Sequence, residues 1–347
     1  MSDRASISRK ITQRVQQFLW AVLAFLFVSA CGAVPSQVNT AESPNEIQAP
    51  VSTDVRVVKH LMGETQVPSH PQRVITLDTS YLANALALGI QPIGSTVWLR
   101  QAQQTGLGSV EPYLKDSSQE LTILGYGSNA EQVSLEKILT LKPDLILADQ
   151  DHQAIYSQLS QIAPTVLYPD PYANDDVRDG WKSFLRSTAE VLGKSQEAET
   201  LLNEYDQRIQ EFKQRMGNRL SSVQISVINP MPEGVRLIYQ DTFAGRVIQD
   251  AGLSRPTGQD KDGYSSNPLS LELIPQMDGD VVFVISFMDA ENLKLIEQLK
   301  NHPLWSQLEA VKQDKVYPVD AEHWYGSDIV TADLILDDLF KYLLEEE

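Results

Sequence analysis

Two stretches of this chain repeat each other in residue type, order and spacing, and that echo restricts the fold more than any other feature. Arg73-Val-Ile-Thr-Leu-Asp78-Thr79 leads, ten residues on, to Gly89-Ile90; Arg236-Leu-Ile-Tyr-Gln-Asp241-Thr242 leads, ten residues on, to Gly252-Leu253. Each unit reads as a strand, an Asp-Thr N-cap, a helix and a glycine C-cap. A second echo keeps the same order. Ser134-Leu135-Glu136 stands ten residues before Asp144 and the apolar run Leu145–Ala148, and Ser270-Leu271-Glu272 stands ten residues before Asp280 and Val281–Ile285. The first pair is offset by 163 and the second by 136, so the halves differ by an insertion but keep their parts in order. Such repetition predicts two pseudo-symmetric α/β lobes, with a ligand cleft between them at the loops of both.

Short apolar runs support this division. Val74–Leu77, Ile93–Val97, Leu145–Ala148 and Val166–Leu167 alternate with helical patterns, and Val223–Ile228, Val281–Ile285 and Val316–Val319 form a second set. Between the sets, Ala198, Leu201, Leu202, Tyr205, Ile209, Phe212 and Met216 recur at helical steps until Gly217. This predicts a single long, rigid helix joining the lobes, about 35 Å from Lys194 to Met216. The expected boundaries are 54–176 for the first lobe, 177–218 for the connecting helical segment and 219–347 for the second lobe.

The N-terminus gives an address. A basic stretch to Arg14 precedes a 13-residue apolar run, Phe18–Ala30, short for a bilayer-spanning helix and right for a signal peptide. It ends Val28-Ser29-Ala30-Cys31, which resembles a lipoprotein cleavage box. Cys31 is the chain's one cysteine, so its lipidation leaves no disulfide to form. Residues 1–30 read as leader and 31–53 as a flexible tether of small and polar residues. The expected location is outside the cytoplasm, anchored to a membrane on its periplasmic or extracytoplasmic face. Without the leader the balance is 24 basic residues against 45 acidic, a net charge of −21. That field disfavours nucleic acid as a partner.

Signatures of catalysis are missing. There is no G-x-S-x-G, Walker A loop, H-E-x-x-H or paired C-x-x-C, and the five histidines lack metal-ligand spacing. No catalytic residue, resident metal or cofactor is expected. Gly125-Tyr-Gly127-Ser-Asn-Ala130 matches a dinucleotide fingerprint. That fingerprint needs a helix opening on its glycines, whereas the next helix is predicted to start at Ser134, so the segment reads as a cleft-edge loop. The Ser-Leu-Glu pair puts Glu136 and Glu272 in first helical turns, where a carboxylate is at home electrostatically. One matched acid on each lobe also suits docking onto a symmetric, dimeric partner. Candidate ligand residues near strand ends are Trp98, Arg100, Tyr126, Arg236, Tyr239, Trp324 and Tyr325, because arginine forks bind anionic oxygens and aromatic rings cover flat ligand faces. Arg73 and Arg236 share a repeat position, which leaves a structural role open for one or both.

Pro71–Leu77 with Leu88–Gly94, Ser134–Leu147, Ile162–Thr165, Leu192–Ala198, Leu269–Glu272, and His302–Trp305 with its continuation to Tyr317 form one ordered set. Through them the sequence, from about Arg56 to the C-terminus, resembles the iron-siderophore and cobalamin substrate-binding proteins of ABC importers, the ferric-dicitrate and ferrichrome binding type. The resemblance implies capture of a ferric siderophore in a shallow cleft, delivery to a permease dimer with its ATPase, and pairing of Glu136 and Glu272 with arginines on the two permease subunits. It also implies a monomer that closes little. Arg100 and Arg236 favour a citrate- or hydroxamate-type chelate over cobalamin or haem, which remain the alternative cargo; an enzyme or chelatase on the same lobes is the alternative class.

Overall fold

The structure, a computed structural model, describes residues 54–97, 107–115, 120–127, 130–168 and 180–344. The leader, the tether, Cys31, Trp98 and Arg100 lie outside those residues. The described body opens on an antiparallel hairpin, β1 (Val55–His60) and β2 (Gly63–Pro68). Arg56 ties it down by donating to the carbonyls of Glu190 and Val191. The first half then runs β3 (Val74–Thr76), α1 (Thr79–Ala87), β4 (Gly94–Val97), β5 (Thr122–Tyr126), α2 (Leu135–Leu141), β6 (Leu145–Asp149), α3 (Tyr156–Ile162) and β7 (Thr165–Tyr168). Its five strands form a parallel sheet in the order β5-β4-β3-β6-β7.

Two helices follow, α4 (Gly180–Leu192) and α5 (Ser195–Met216), with Gly193 at a φ of +72° between them. The second half runs β8 (Ile225–Met231), β9 (Gly234–Leu237), α6 (Phe243–Asp250), a 3-10 turn over Leu271–Met277, β10 (Val281–Ser286), α7 (Ala290–Lys300), β11 (Val316–Asp320), a helical turn at Ala321–Trp324, and α8 (Ile329–Leu344). The sheet order is β11-β10-β8-β9, with β9 antiparallel.

The strands are continuous apolar runs because both sheet faces are covered. In the first sheet Leu145 and Leu147 join one core, and Ile146 and Ala148 the other. Of the expected stripe of α5, Ala198, Leu202, Tyr205, Ile209, Phe212 and Met216 are buried, while Leu201 is half-buried at the edge of the core. Those side chains share one core with Leu145 and Leu147 of the first sheet, Phe283 and Ile285 of the second, and Leu336 and Leu339 of α8. The junction between the sheets is therefore packed solid. Close-packed interiors resist deformation, so hinge motion here is restrained. The long helix has a companion in α4, with Trp181 edge-on to Tyr205 at 5.0 Å.

The echo of the halves has a structural basis. Asp144 accepts the backbone N–H groups of Gln72 and Arg73 at 2.8 and 2.9 Å, and Asp280 accepts that of Gln224 at 2.7 Å. Each aspartate thus fixes the start of the first strand in its sheet. The arginine match does not survive. Arg73 precedes central β3, but Arg236 lies on β9, a hairpin strand added after β8. Pro232-Glu233-Gly234 turns the chain back, and Gly234 at a φ of +142° is required because a Cβ there would meet Leu269 O at 2.2 Å. Structurally, β8 corresponds to β3 and Arg236 has no counterpart.

Candidate functional site

In parallel α/β sheets, ligands gather at the carboxyl ends of the strands. Here the segments leaving those ends in the two sheets meet. Ser80, in the first turn of α1 beyond β3, shares a hydroxyl hydrogen bond of 2.6 Å with Ser327, beyond β11. Ile329 N donates to Asn84 Oδ1 at 3.3 Å. Glu322 lies so near Gly108 that a Cβ there would meet its Oε2 at 2.6 Å.

Arg236 supplies the cation of this edge. It faces Asn229 across the β8–β9 pair, and Asn229 Nδ2 donates to Ile285 O at 3.1 Å. Its neighbours Val235 and Leu237 point into the outer core. Strand alternation therefore sets Arg236 on the opposite face, where the Ala321–Trp324 turn packs. Tyr325 ends that turn. Burial pushes its phenol up to about 12, while the Arg236 charge pulls it down. Arg236 Nε is buried without a hydrogen-bond partner, and among the described residues no carboxylate pairs with it. Arg73 is spent differently, donating to the carbonyls of Leu141 and Lys142 at the end of α2.

Two expected ligand residues are placed elsewhere. Trp324 is 0% exposed, 4.8 Å from the Phe283 ring, and its Nε1 donates to Asp338 Oδ2 at 2.8 Å. It is a core residue, because the helical turn presses its ring onto the sheet. Tyr239 lies three residues beyond Arg236, past the end of β9 at Leu237, where its backbone N–H donates to Tyr264 O at 2.8 Å and its ring packs against the outer core. Tyr126 ends β5 at the first sheet's carboxyl edge, 46% exposed.

Glu136 and Glu272 are both exposed. Glu136 is in the first turn of α2, capped by Ser134 Oγ, which accepts Lys137 N at 3.4 Å. Glu272 is in the first turn of the 3-10 segment, where Ser270 makes no side-chain cap and Pro275 interrupts. The expected serine cap thus holds on one half only. Both elements lead into the amino end of the next strand, so both glutamates sit in the turn of their element farthest from that strand's start.

The glycine fingerprint is structural. After β5 the chain makes a 3-10 turn over Ala130–Gln132 before α2, so no helix opens on the glycines. Gly125 is needed for a close backbone approach, since a Cβ would meet Gln132 O at 1.9 Å.

Sequence reasoning missed a buried acidic cluster beneath the junction. Asp78 caps α1 through Ser80 N at 2.7 Å, and Asp328 caps α8 through Thr331 N at 2.9 Å. Burial raises each carboxyl to about 6, more than their capping bonds lower it; Asp149 adds to the rise at Asp78, and Asp78 to that at Asp328. His152, fully buried, is 2.8 Å from Asp149 through Nδ1. The Asp-Thr pair at 78–79 was legible as a cap, but its meeting with Asp328 was not. A raised folded-state pKa means the native state holds protons that the unfolded chain has released. The stabilisation is complete below about pH 4 and lost as pH rises through 6. Thermal unfolding should therefore show stability falling by about 1–3 kcal/mol between pH 5 and 7.5, and Asp78→Asn with Asp328→Asn should flatten that slope.

The sequence family described as periplasmic binding protein matches residues 74–323. The chain is 30% identical to the probable siderophore-binding lipoprotein YfiY of Bacillus subtilis (strain 168), covering 93% of this chain and 96% of that one. It is also 30% identical to the Fe(3+)-citrate-binding protein YfmC of the same organism, over 87% and 88%. Among solved structures, Staphylococcus aureus SirA complexed with staphyloferrin B superposes with a TM-score of 0.67 at 29% identity, covering 83% of this chain and 98% of that one. With its parallel first sheet, its mixed second sheet, the junction at their carboxyl edges and this match over most of its length, the chain belongs to the periplasmic binding protein family.

Proposed function

We propose that this protein is the extracytoplasmic substrate-binding component of an ABC importer, which captures an anionic ferric siderophore and hands it to a dimeric permease with its ATPase. One observation carries the reading: the half-buried Arg236 at the junction of the two halves, with a buried Nε donor that none of the described residues satisfies, in the field of the Tyr325 phenol. A buried unpaired donor costs free energy, and an anionic chelate oxygen would satisfy it. Tyr126 and Tyr325, with Trp98 and Arg100, would complete the ligand surface. The relatives support the chemistry, since YfmC is named for ferric citrate and SirA was solved with staphyloferrin B. Lipidation at Cys31 would hold the protein, a monomer, at the membrane. Glu136 and Glu272 would dock it on the two permease subunits. Nothing in this reading requires catalysis.

Intrinsic tryptophan fluorescence, titrated with ferric siderophores, cobalamin, haem and NAD, tests the proposal. Saturable quenching by a ferric chelate but not its iron-free form is the expected result. Arg236→Ala should weaken that binding about 10–100-fold, the value of a charge-assisted hydrogen bond. A response to cobalamin or haem alone would replace the cargo, and a response to NAD alone would overturn the reading.

A further inference from the structure

Each of the two glutamates stands beside exposed apolar surface at a matched offset. Leu139 follows Glu136 by one helical turn and shares its face of α2. At 61% it is the most exposed large hydrophobic side chain described, although its neighbour Ile138 is fully buried. In the other half Glu272 is followed by Leu273, 38% exposed, and by exposed Pro275. Residues three apart eclipse in a 3-10 turn, so Pro275 lies on the side of Glu272. The offset of 136 that relates Glu136 to Glu272 also relates Leu139 to Pro275. Neither Leu139 nor Leu273 packs on any core of the described body. Among the described residues neither glutamate forms an ion pair. One exposed leucine is ordinary. An apolar side chain beside an unpaired carboxylate, in corresponding places on both halves, calls for a partner that is itself doubled.

We infer that Leu139 on one half, and Leu273 with Pro275 on the other, are apolar anchors of the docking face. Their partner offers two like notches, each with a basic rim and an apolar floor, as the external loops of a homodimeric membrane permease would. This rests on the docking role proposed for Glu136 and Glu272. The two residue types divide the work. Exposed ion pairs are weak and screened by salt, but they steer encounter. Apolar burial is insensitive to screening, and excluding water beside a charge pair strengthens it.

The experiment measures binding of the full chain, loaded with a ferric chelate, to the permease in nanodiscs, at low salt and at about 0.5 M salt, where charges more than a few ångströms apart are screened. Leu139→Gln with Leu273→Gln keeps side-chain length and touches no core; unchanged thermal unfolding and chelate affinity confirm an intact fold. The inference expects this variant to bind about 10–100-fold more weakly, because the exposed parts of Leu139 and Leu273, 61% and 38%, together amount to about one leucine side chain newly buried. It also expects the deficit to persist at high salt. Wild-type binding by the leucine variant, while Glu136→Ala with Glu272→Ala fails to bind, would overturn the inference and leave the docking reading standing. Wild-type binding by the glutamate variant as well would overturn both.

Discussion

Glu136→Ala combined with Glu272→Ala should lower uptake of the iron chelate by about 100-fold or more while leaving its affinity in solution unchanged within about twofold. The separation follows from geometry. Both carboxylates are exposed, and each sits in the first turn of an element that leads into the amino end of the next strand. Neither lies on the strand face that carries Arg236. Losing one partner of a desolvated interfacial charge pair costs about 2–5 kcal/mol, and two such losses on a doubled interface compound. The single variants should fall in between, because either half alone still offers one charge. Uptake of radioactive iron by cells, set beside fluorescence titration of the purified variants, separates docking from capture. Weakened binding in solution would mean the glutamates belong to the ligand site.

Trp324→Ala should destabilise the fold by about 3–5 kcal/mol, the usual cost of emptying a large aromatic site in a packed core. The indole is fully buried against Phe283, and its N–H is one of the bonds holding the Asp338 carboxyl, which burial already pushes above its ordinary value. Removing the indole both opens a cavity and leaves that carboxyl less well satisfied. Trp324→Phe keeps most of the volume and should cost less, chiefly the hydrogen bond. Urea unfolding measures both. If Trp324→Ala kept its stability and lost chelate affinity instead, the ring would be a ligand contact after all.

Much of the architecture was legible because it rests on local rules. Continuous apolar runs mark parallel strands buried on two faces, and β3, β4, β6, β7, β8, β10 and β11 all appear close to where those runs stand. The stripe on α5 was readable down to single residues because helical periodicity dictates which side chains face a core. The hairpin β1–β2 was not anticipated, since Val55-Arg-Val-Val-Lys-His and Gly63-Glu-Thr-Gln-Val-Pro give only a weak alternation with a largely exposed outer face.

The site was legible in kind and less so in its members. Arg236 and Tyr325 come within electrostatic reach of each other, though no spacing in the chain joins residues 89 apart. Tyr239 was drawn in by its nearness to Arg236 in sequence, and Trp324 by its nearness to Tyr325. The outer core takes the Tyr239 ring past the end of β9, and the packing of one helical turn separates the second pair. The sequence by itself determined the repeated halves, the strands of the two sheet centres, the long helix, the paired glutamates and the family. Those depend on interactions between residues near one another in the chain. Only the tertiary structure decided that β9 is an added hairpin strand, that Trp324 is core, and that Asp78 and Asp328 share a buried junction. Burial and charge coupling depend on which distant segments come together, and no local pattern encodes that.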